Sequence, residues 1–204
     1  MAHEMKHKLA FQDFTIYEKR DEVGGAWATN RYPGAGCDLP THLHDFSFNL
    51  NPSWSKELCD REEVLEYINT TVDKFELRSH IHTSVEAVRA HWLEKTNMWC
   101  VTLKDSRTGV EFVRYATVLI LAAGGMNNSR DVKIEGMDQF QGDLFHIAQW
   151  PAMWGSDGMD HVQRKRIAVI GNGCSAAQLI PKLVKSVADI KQWVFLSSSV
   201  EFSS

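Results

Sequence analysis

The chain has 204 residues, of which 44% are apolar and 24% are charged, and its formal net charge at pH 7 is −4. These values are typical of a globular protein long enough to bury a core. The small acidic excess and the lack of a basic block argue against a nucleic-acid partner or an acidic membrane surface. The longest apolar run, Val118 to Ala123, is far too short to span a bilayer, so we expect no membrane partner.

The N-terminus and the cysteines indicate the compartment. Residues Met1 to Lys6 lack the apolar run of a signal peptide. The cysteines show no C-x-x-C spacing, which disfavours a zinc knuckle or a redox dithiol. They are Cys37, Cys59, Cys100 and Cys174. We therefore expect free thiols in a reducing compartment, the cytoplasm.

Two H-x-H pairs are the candidates for metal binding. His42 with His44, and His80 with His82, could each put two imidazoles on one face of a strand. Because no third ligand is evident for either pair, we expect no metal.

The first part of the chain predicts a helix, a strand, a long loop and a second helix. Ala2 to Ala10 looks like the end of a helix, and the aromatic and β-branched run Phe14 to Lys19 predicts a strand. The loop Asp21 to His44 has no periodicity, and loops of this length are usually functional. Asp60 to Glu63 has the spacing of a capping box that opens a helix. The apolar face of that helix comprises Val64, Ile68, Val72 and Phe75.

Three strands are predicted next, and the third is expected to be central. They are Ile81–Val88, Met98–Leu103 and Glu111–Ala123. The last one ends in a continuous apolar run, which is typical of a strand buried on both faces.

The C-terminal part predicts a β-α-β unit. Arg166 to Ile170 is a short apolar strand, and it is followed by a glycine turn, a helix and a strand at Lys191–Leu196. Pro181 lies inside the helix and should kink it. The helix has an apolar face of Ala176, Ile180, Leu183, Val184 and Val187. The sequence therefore predicts an α/β fold with two dinucleotide-binding, Rossmann-like units, both incomplete.

The glycine turn has the spacing of a dinucleotide fingerprint, Gly171-x-Gly173-x-x-Ala176. The first glycine permits the tight turn, the second lets the backbone approach a pyrophosphate, and the small third residue lets the helix pack on the strand. The phosphates would lie at the N-terminus of the helix. The match stands between an apolar strand and an amphipathic helix, which favours nucleotide binding over a merely tight turn.

Glu18 is a second candidate for contact with a nucleotide. It lies at the end of the strand Phe14–Lys19, where an acidic residue can accept hydrogen bonds from a ribose diol. A surface glutamate with no such role is an equally good reading of this position taken alone.

Two longer patterns carry a resemblance to a known family. The first runs from Glu18 through Gly24-Gly-Ala-Trp27 and Asn30-Arg-Tyr-Pro-Gly34 to Cys37-Asp38. The second, Phe140-Gln-Gly-Asp-Leu-Phe-His-Ile-Ala-Gln-Trp-Pro151, matches F-x-G-x-x-x-H-x-x-x-W-P at every fixed position. Together they resemble the Baeyer–Villiger group of flavin-dependent monooxygenases, most of all its members in fungal secondary metabolism.

This resemblance implies an enzyme that uses FAD, NADPH and O2 to insert oxygen next to a small-molecule ketone, giving an ester or lactone. It implies that Asp38 is the catalytic residue, near the flavin and the nicotinamide. The residues implied to contact FAD are Glu18, Gly24, Gly25, Trp27, Cys37, Asp38 and Val85. The residues implied to contact NADPH are Gly171, Gly173, Cys174, Ser175 and Ala176.

The resemblance also implies the domain organisation. Residues 1–139 would form a partial FAD-binding domain, 140–165 a signature linker and 166–204 the start of an NADPH-binding domain. The signature residues would couple the two domains rather than perform chemistry, and we expect His146 and Trp150 to lie outside both cores. They are Phe140, Gly142, His146, Trp150 and Pro151.

Three parts of the family pattern are not found in this sequence. The first glycine fingerprint and its strand, which should precede Phe14, are missing, and His44 stands where the family usually has tyrosine. Leu196 to Ser204 replaces the arginine-containing motif that reads the 2′-phosphate of NADPH. We therefore expect a chain truncated at both ends that, as given, does not catalyse oxygenation.

Two other functional classes stay open from the sequence. The chain could be a non-catalytic remnant that binds at most a nucleotide or a partner. It could also be an N- or S-oxygenating flavin monooxygenase, which the Trp-Pro end of the signature disfavours. Cys174 is interpreted as a small residue of the turn rather than as a nucleophile.

Overall fold

The computed structural model of the chain describes residues 1–125, 129, 134–154 and 159–194. The chain divides into two compact units. Unit 1 comprises Met1–Ala28 and Leu65–Asn128, and unit 2 comprises Thr29–Val64 and Ser129–Ser204. Residues 29–64, which the sequence analysis assigned to the FAD-binding domain, thus belong to the same unit as the glycine turn.

The chain contains both helices and strands, in agreement with the predicted α/β class. The helices are α1 (Ala26–Thr29), α2 (Arg61–Lys74), α3 (Met159–Val162) and α4 (Cys174–Leu183), and a π-helical turn covers Glu4–Lys8. The strands are β1 (Ile16–Tyr17), β2 (Ile81–His82), β3 (Val85–Leu93), β4 (Met98–Asp105), β5 (Glu111–Ala116), β6 (Arg166–Ile170) and β7 (Asp189–Trp193). In the described part of the chain no helix is long and apolar enough to cross a membrane.

Unit 1 contains a parallel pair of strands and an antiparallel sheet. Ile16 and Tyr17 of β1 lie opposite Ile81 and His82 of β2. Strands β3, β4 and β5 form the antiparallel sheet in that order. Alternate residues of β4 point into the core, where Val101 and the fully buried Leu103 pack with Val85.

The predicted central strand Glu111–Ala123 is wrong over its second half. Strand β5 ends at Ala116, and the apolar residues beyond it are largely exposed, with Leu121 at 82%. A central parallel strand is buried only when neighbouring strands pair with it and helices cover its faces. Within the residues that the structure describes, no strand pairs with 117–125.

Helix α2 begins where predicted, but the predicted capping box is wrong. Glu63 accepts hydrogen bonds from the backbone N–H and hydroxyl of Ser55, and Asp60 pairs with Lys56 Nζ at 2.6 Å. The N–H of Arg61 donates to the carbonyl of Ala35 at 3.0 Å. Partners outside the four-residue pattern therefore replace the capping that this pattern predicts. The apolar face holds as predicted, with Val64 and Val72 buried.

Unit 2 contains the predicted β-α-β unit. Strands β6 and β7 are parallel, with Ile167 opposite Ile190, and α4 connects them. Helix α4 continues through Pro181 and ends at Leu183. Its buried residues are Ala176, Leu179 and Leu183, whereas Val184 is 50% exposed. The predicted strand end at Phe195 and Leu196 lies outside the described residues.

Candidate dinucleotide site

The glycine turn of unit 2 leaves open space and free backbone donors at the start of α4. Gly171 has φ +112°, a backbone conformation that residues other than glycine rarely adopt. A Cβ on Gly171 or on Gly173 would meet no heavy atom within 4 Å. In the described residues nothing accepts a hydrogen bond from the N–H groups of Cys174, Ser175 or Ala176. Free N–H groups at the N-terminus of a ten-residue helix favour an anion such as phosphate.

Strand β7 fixes the shape of this turn. The N–H of Gly171 donates to the carbonyl of Trp193, and the carbonyl of Gly171 accepts from Gln192 Nε2, both at 2.8 Å. Both backbone groups of the first glycine are therefore satisfied inside the β-α-β unit. The turn is held open before any ligand arrives.

The loop that carries Asp38 packs against α4. The buried Tyr32 donates from its phenol to Gln178 Oε1 at 2.8 Å, and its oxygen lies 3.1 Å from Ser175 Oγ. Gln178 Nε2 in turn donates to the carbonyl of Gly36 at 2.9 Å. A Cβ on Gly34 would lie 2.7 Å from the carbonyl oxygen of Gln178, so the close approach requires glycine at this position.

Asp38 and Cys174 meet at the first residue of α4, and both are exposed. The neighbouring Asp38 carboxylate raises the pKa of the Cys174 thiol, because its negative charge disfavours the thiolate. This environment favours the protonated thiol over the thiolate. The prediction that Cys174 is not a nucleophile agrees with this environment.

Cys37 and Tyr32 have a different environment from Asp38. Burial is the main cause that raises the pKa of the Cys37 thiol, and the N–H of Cys37 donates to the carbonyl of Cys59 at 2.9 Å. Burial also raises the pKa of the Tyr32 phenol. Both side chains are buried, and the Tyr32 phenol contacts α4.

The remaining predicted FAD residues lie in unit 1. Glu18 follows β1, donates its N–H to the carbonyl of His82 and accepts the N–H of Val85, each at 2.9 Å. The Glu18 carboxylate accepts the N–H of Arg20 at 2.9 Å. Gly24 precedes α1, and its carbonyl accepts from Trp27 at 3.1 Å. The structure thus brings Glu18 and Val85 together, and it places Gly24, Gly25 and Trp27 in one turn.

The signature residues have different surroundings. The prediction that Trp150 lies outside both cores is wrong. Trp150 is 6% exposed and belongs to the core of unit 2 with Tyr32 and Leu179. The aromatic rings of Phe145 and Trp154 pack edge-on against it, which explains why it is buried. His146 is exposed and caps a short helical turn, because its Nδ1 accepts the N–H of Ala148 at 3.1 Å. Phe140 is 59% exposed.

The residues fit NADPH well and FAD in part. The open turn and the free N–H groups of α4 suit a pyrophosphate, with Gly171, Gly173 and the first residues of α4 around it. In unit 1, Glu18 and Val85 suit the adenosine end of FAD. In the described part of unit 1, however, the glycine turn at Gly24 and Gly25 opens only the four-residue α1, which is too short to offer a strong phosphate site.

Sequence reasoning missed two residues of this site, Tyr32 and Gln178. Gln178 lies one turn after Ser175 in α4, so helical spacing could have placed it beside the predicted cofactor residues. Within the described ranges no group of three or more His, Cys, Asp or Glu side chains could hold a metal ion.

Comparison with known proteins gives the family. Residues 42–203 match the family described as L-lysine 6-monooxygenase/L-ornithine 5-monooxygenase, and residues 1–61 match an NAD(P)-binding Rossmann-like domain. The chain is 38% identical over 196 residues to the FAD-binding monooxygenase tazF of Aspergillus terreus, covering 95% of this chain and 34% of tazF. It is 34% identical over 176 residues to a Baeyer-Villiger monooxygenase of Streptomyces coelicolor, covering 86% of this chain and 31% of that protein.

Solved structures of monooxygenases also match this chain. The cyclohexanone monooxygenase from Rhodococcus sp. Phi1 bound to NADP+ matches with a TM-score of 0.80 and 31% identity, covering 96% of this chain and 35% of that one. OTEMO in complex with FAD and NADP matches with a TM-score of 0.83 and 27% identity, covering 95% of this chain and 36% of that one. The chain therefore spans about a third of the length of the proteins that it matches.

The glycine turn at the start of α4 and the Rossmann-like match define a dinucleotide-binding α/β protein. The chain belongs to the family described as L-lysine 6-monooxygenase/L-ornithine 5-monooxygenase, and it is similar to Baeyer-Villiger and cyclohexanone monooxygenases. Of these similar proteins, OTEMO is in complex with FAD and NADP, and tazF is named as FAD-binding.

Proposed function

We propose that this chain is part of an FAD- and NADPH-dependent monooxygenase that inserts oxygen next to a ketone to give an ester or lactone. The observation that carries the proposal is the set of free N–H groups at the start of α4, beside the Asp38 carboxylate. The similarity to fungal monooxygenases such as tazF supports a role in secondary metabolism. The free thiols suit a reducing compartment, and we place the protein in the cytoplasm.

The residues of unit 2 would bind and orient NADPH. The N–H groups of Cys174, Ser175 and Ala176 would hold the pyrophosphate, since phosphate oxygens are strong acceptors. Asp38 is the proposed catalytic residue, because its exposed carboxylate can accept a hydrogen bond from the carboxamide of a nicotinamide at the same turn. FAD, when bound, supplies the hydride acceptor and the oxygen activation. Glu18, Gly24, Gly25, Trp27 and Val85 remain its proposed contacts.

The domain boundaries and the signature residues stay part of the proposal. Residues 140–165 would link an FAD-binding part to the NADPH-binding part that begins at 166. In that linker the buried Trp150 would anchor the segment in the core of unit 2, and the exposed His146 would be available for coupling.

A second function, oxygenation of an amino-acid side-chain nitrogen, has one specific observation in its favour. The description of the matched family names lysine and ornithine monooxygenases. The similarity to a Baeyer-Villiger monooxygenase and to cyclohexanone monooxygenases favours the ketone. The two are distinguished with the complete monooxygenase of which we propose this chain to be a part, supplied with FAD and NADPH, together with cyclohexanone in one sample and L-ornithine in another. A hydroxylated ornithine would overturn the ketone assignment, and a lactone from cyclohexanone would support it.

The binding part of the proposal is tested by the substitution Gly173→Asp. Gly173 has φ −69° and open space around its Cβ position, so aspartate fits there and is a favourable N-cap for α4. We expect Gly173→Asp to unfold at the same or a slightly higher temperature. Its carboxylate would occupy the free N–H groups and repel phosphate, so we expect affinity for NADP+ to fall by about tenfold or more in calorimetric titration.

The matched control is Ser53→Asp, which adds the same negative charge at an exposed position of the same unit. We expect it to bind NADP+ like the unmodified chain. A failure of the unmodified chain to bind NADP+, or equal binding by Gly173→Asp, would overturn the assignment of this turn as the NADPH site.

A further inference from the structure

Tyr32 connects the Asp38 loop with the first two turns of α4. It is 6% exposed, and its phenol contacts Gln178 Oε1 and Ser175 Oγ. The carbonyl of Gly36 can only accept a hydrogen bond, so the Nε2 side of Gln178 faces Gly36 and its oxygen faces Tyr32. One amide side chain therefore joins the phenol to the loop backbone two residues before Asp38.

Independent contacts hold the same loop. The close approach of Gly34 to the carbonyl of Gln178 leaves no space for a side chain. The carbonyl of Ala35 accepts the N–H of Arg61 at the start of α2. The loop is thus fixed on both sides of Gly36, and Asp38 follows directly from this fixed segment.

We propose that Tyr32 is a positioning residue, which through Gln178 holds the loop on α4 and so keeps the Asp38 carboxylate against the thiol of Cys174. The consequence for the reaction rests on the proposed function, because the same contact would set Asp38 beside a bound nicotinamide. The contact itself needs no dinucleotide. It can therefore be tested with the chain alone.

The reactivity of Cys174 reports the position of Asp38. Cys174 is the exposed cysteine, while Cys37, Cys59 and Cys100 are buried. Among the described residues, Asp38 and the Tyr32 phenol are the ionisable groups that interact with its thiol. Since only the thiolate is alkylated, moving the carboxylate away lowers the thiol pKa and speeds the reaction at a pH below that pKa.

The experiment measures the rate of Cys174 alkylation by iodoacetamide against pH, with the modified residue identified by mass spectrometry. Asp38→Asn sets the reference, and we expect it to react roughly threefold faster or more near pH 7.5. Tyr32→Phe keeps the ring in the core and removes one oxygen. We expect Tyr32→Phe to shift the pH profile in the same direction as Asp38→Asn. The double variant, which carries both substitutions, should react no faster than Asp38→Asn alone. Gln178→Met should reproduce the shift through the other end of the connection.

The control is Tyr115→Phe, the same change at a residue that is 60% exposed in unit 1, and its profile should stay unchanged. If Tyr32→Phe and Gln178→Met lower the unfolding temperature but leave the pH profile unchanged, Tyr32 is only a packing residue and the proposal is overturned. If the profile shifts while the unmodified chain fails to bind NADP+, the positioning role stands and the proposed function fails.

Discussion

Gly34 and Gly136 have almost the same backbone conformation, with φ +83° and +78°, but different surroundings. A Cβ on Gly34 would lie 2.7 Å from the carbonyl oxygen of Gln178 and 3.0 Å from Lys182 Cγ, whereas one on Gly136 would meet nothing within 4 Å. Both glycines belong to unit 2. Comparing them separates the cost of the left-handed conformation from the cost of crowding.

We expect Gly136→Ala to lower the free energy of unfolding by about 1–2 kcal/mol, the cost of the left-handed conformation. Gly34→Ala should lower the free energy of unfolding by about 1–3 kcal/mol more than Gly136→Ala does, because the loop must also move away from α4. Urea unfolding followed by tryptophan fluorescence measures both values. Equal losses for the two variants would contradict the close packing of the Asp38 loop on α4.

At the scale of residues, the sequence predicted the members of the site better than the contacts that hold them. The spacing and the resemblance selected Asp38, Gly171, Gly173 and Cys174, which the structure places around one turn. Helical spacing from Ser175 could have selected Gln178, but its contact with Tyr32 joins residues that are 146 positions apart. Such a contact depends on how the loop folds onto α4, and no local pattern contains that information.

Helix α2 carries a carboxylate whose contacts make stability depend on pH. The hydroxyl and the backbone N–H of Ser55 donate to Glu63 and lower the pKa of its carboxyl below the ordinary value of 4.5. A group with a lowered pKa in the folded state stabilises it above the unfolded value, and this contribution is lost as the pH falls through the folded value.

We therefore expect Glu63→Gln to be less stable than the unmodified chain at neutral pH, by no more than about 1 kcal/mol because the carboxylate is in contact with water. The difference should disappear as the pH falls below 4.5. Urea midpoints of the two proteins at several pH values measure this. Glu66→Gln, the same change at an exposed position of α2, should show no such trend. A difference that stays constant with pH would contradict the role of the charge.

At the scale of elements, the predictions succeeded where the signal is local. The periodicity of α2 and the strand–turn–helix at Arg166 to Leu183 hold in the structure. They failed where the outcome depends on partners outside the local pattern. The run Val118–Ala123 looks like a buried strand, yet it is exposed because no described strand pairs with it. The capping box failed because Ser55 and Lys56 engage Glu63 and Asp60 instead.

For the whole molecule, the α/β class and the family follow from the sequence, but the grouping of its segments does not. Residues 29–64 belong to the same unit as the glycine turn, although more than 100 residues separate them from it. The Asp38 loop, the turn and α4 therefore lie within one unit. The proposed NADPH site can be tested without knowing how the two units are arranged.

The most direct test of the central claim is whether NADP+ protects Cys174 from alkylation. The thiol lies beside the N–H groups that would hold the pyrophosphate, and it is exposed when no dinucleotide is bound. With saturating NADP+ we expect the alkylation rate of Cys174 to fall by about tenfold or more, because the bound pyrophosphate covers the start of α4. The Gly173→Asp variant should show no protection. An alkylation rate that is the same with and without NADP+ would contradict the account.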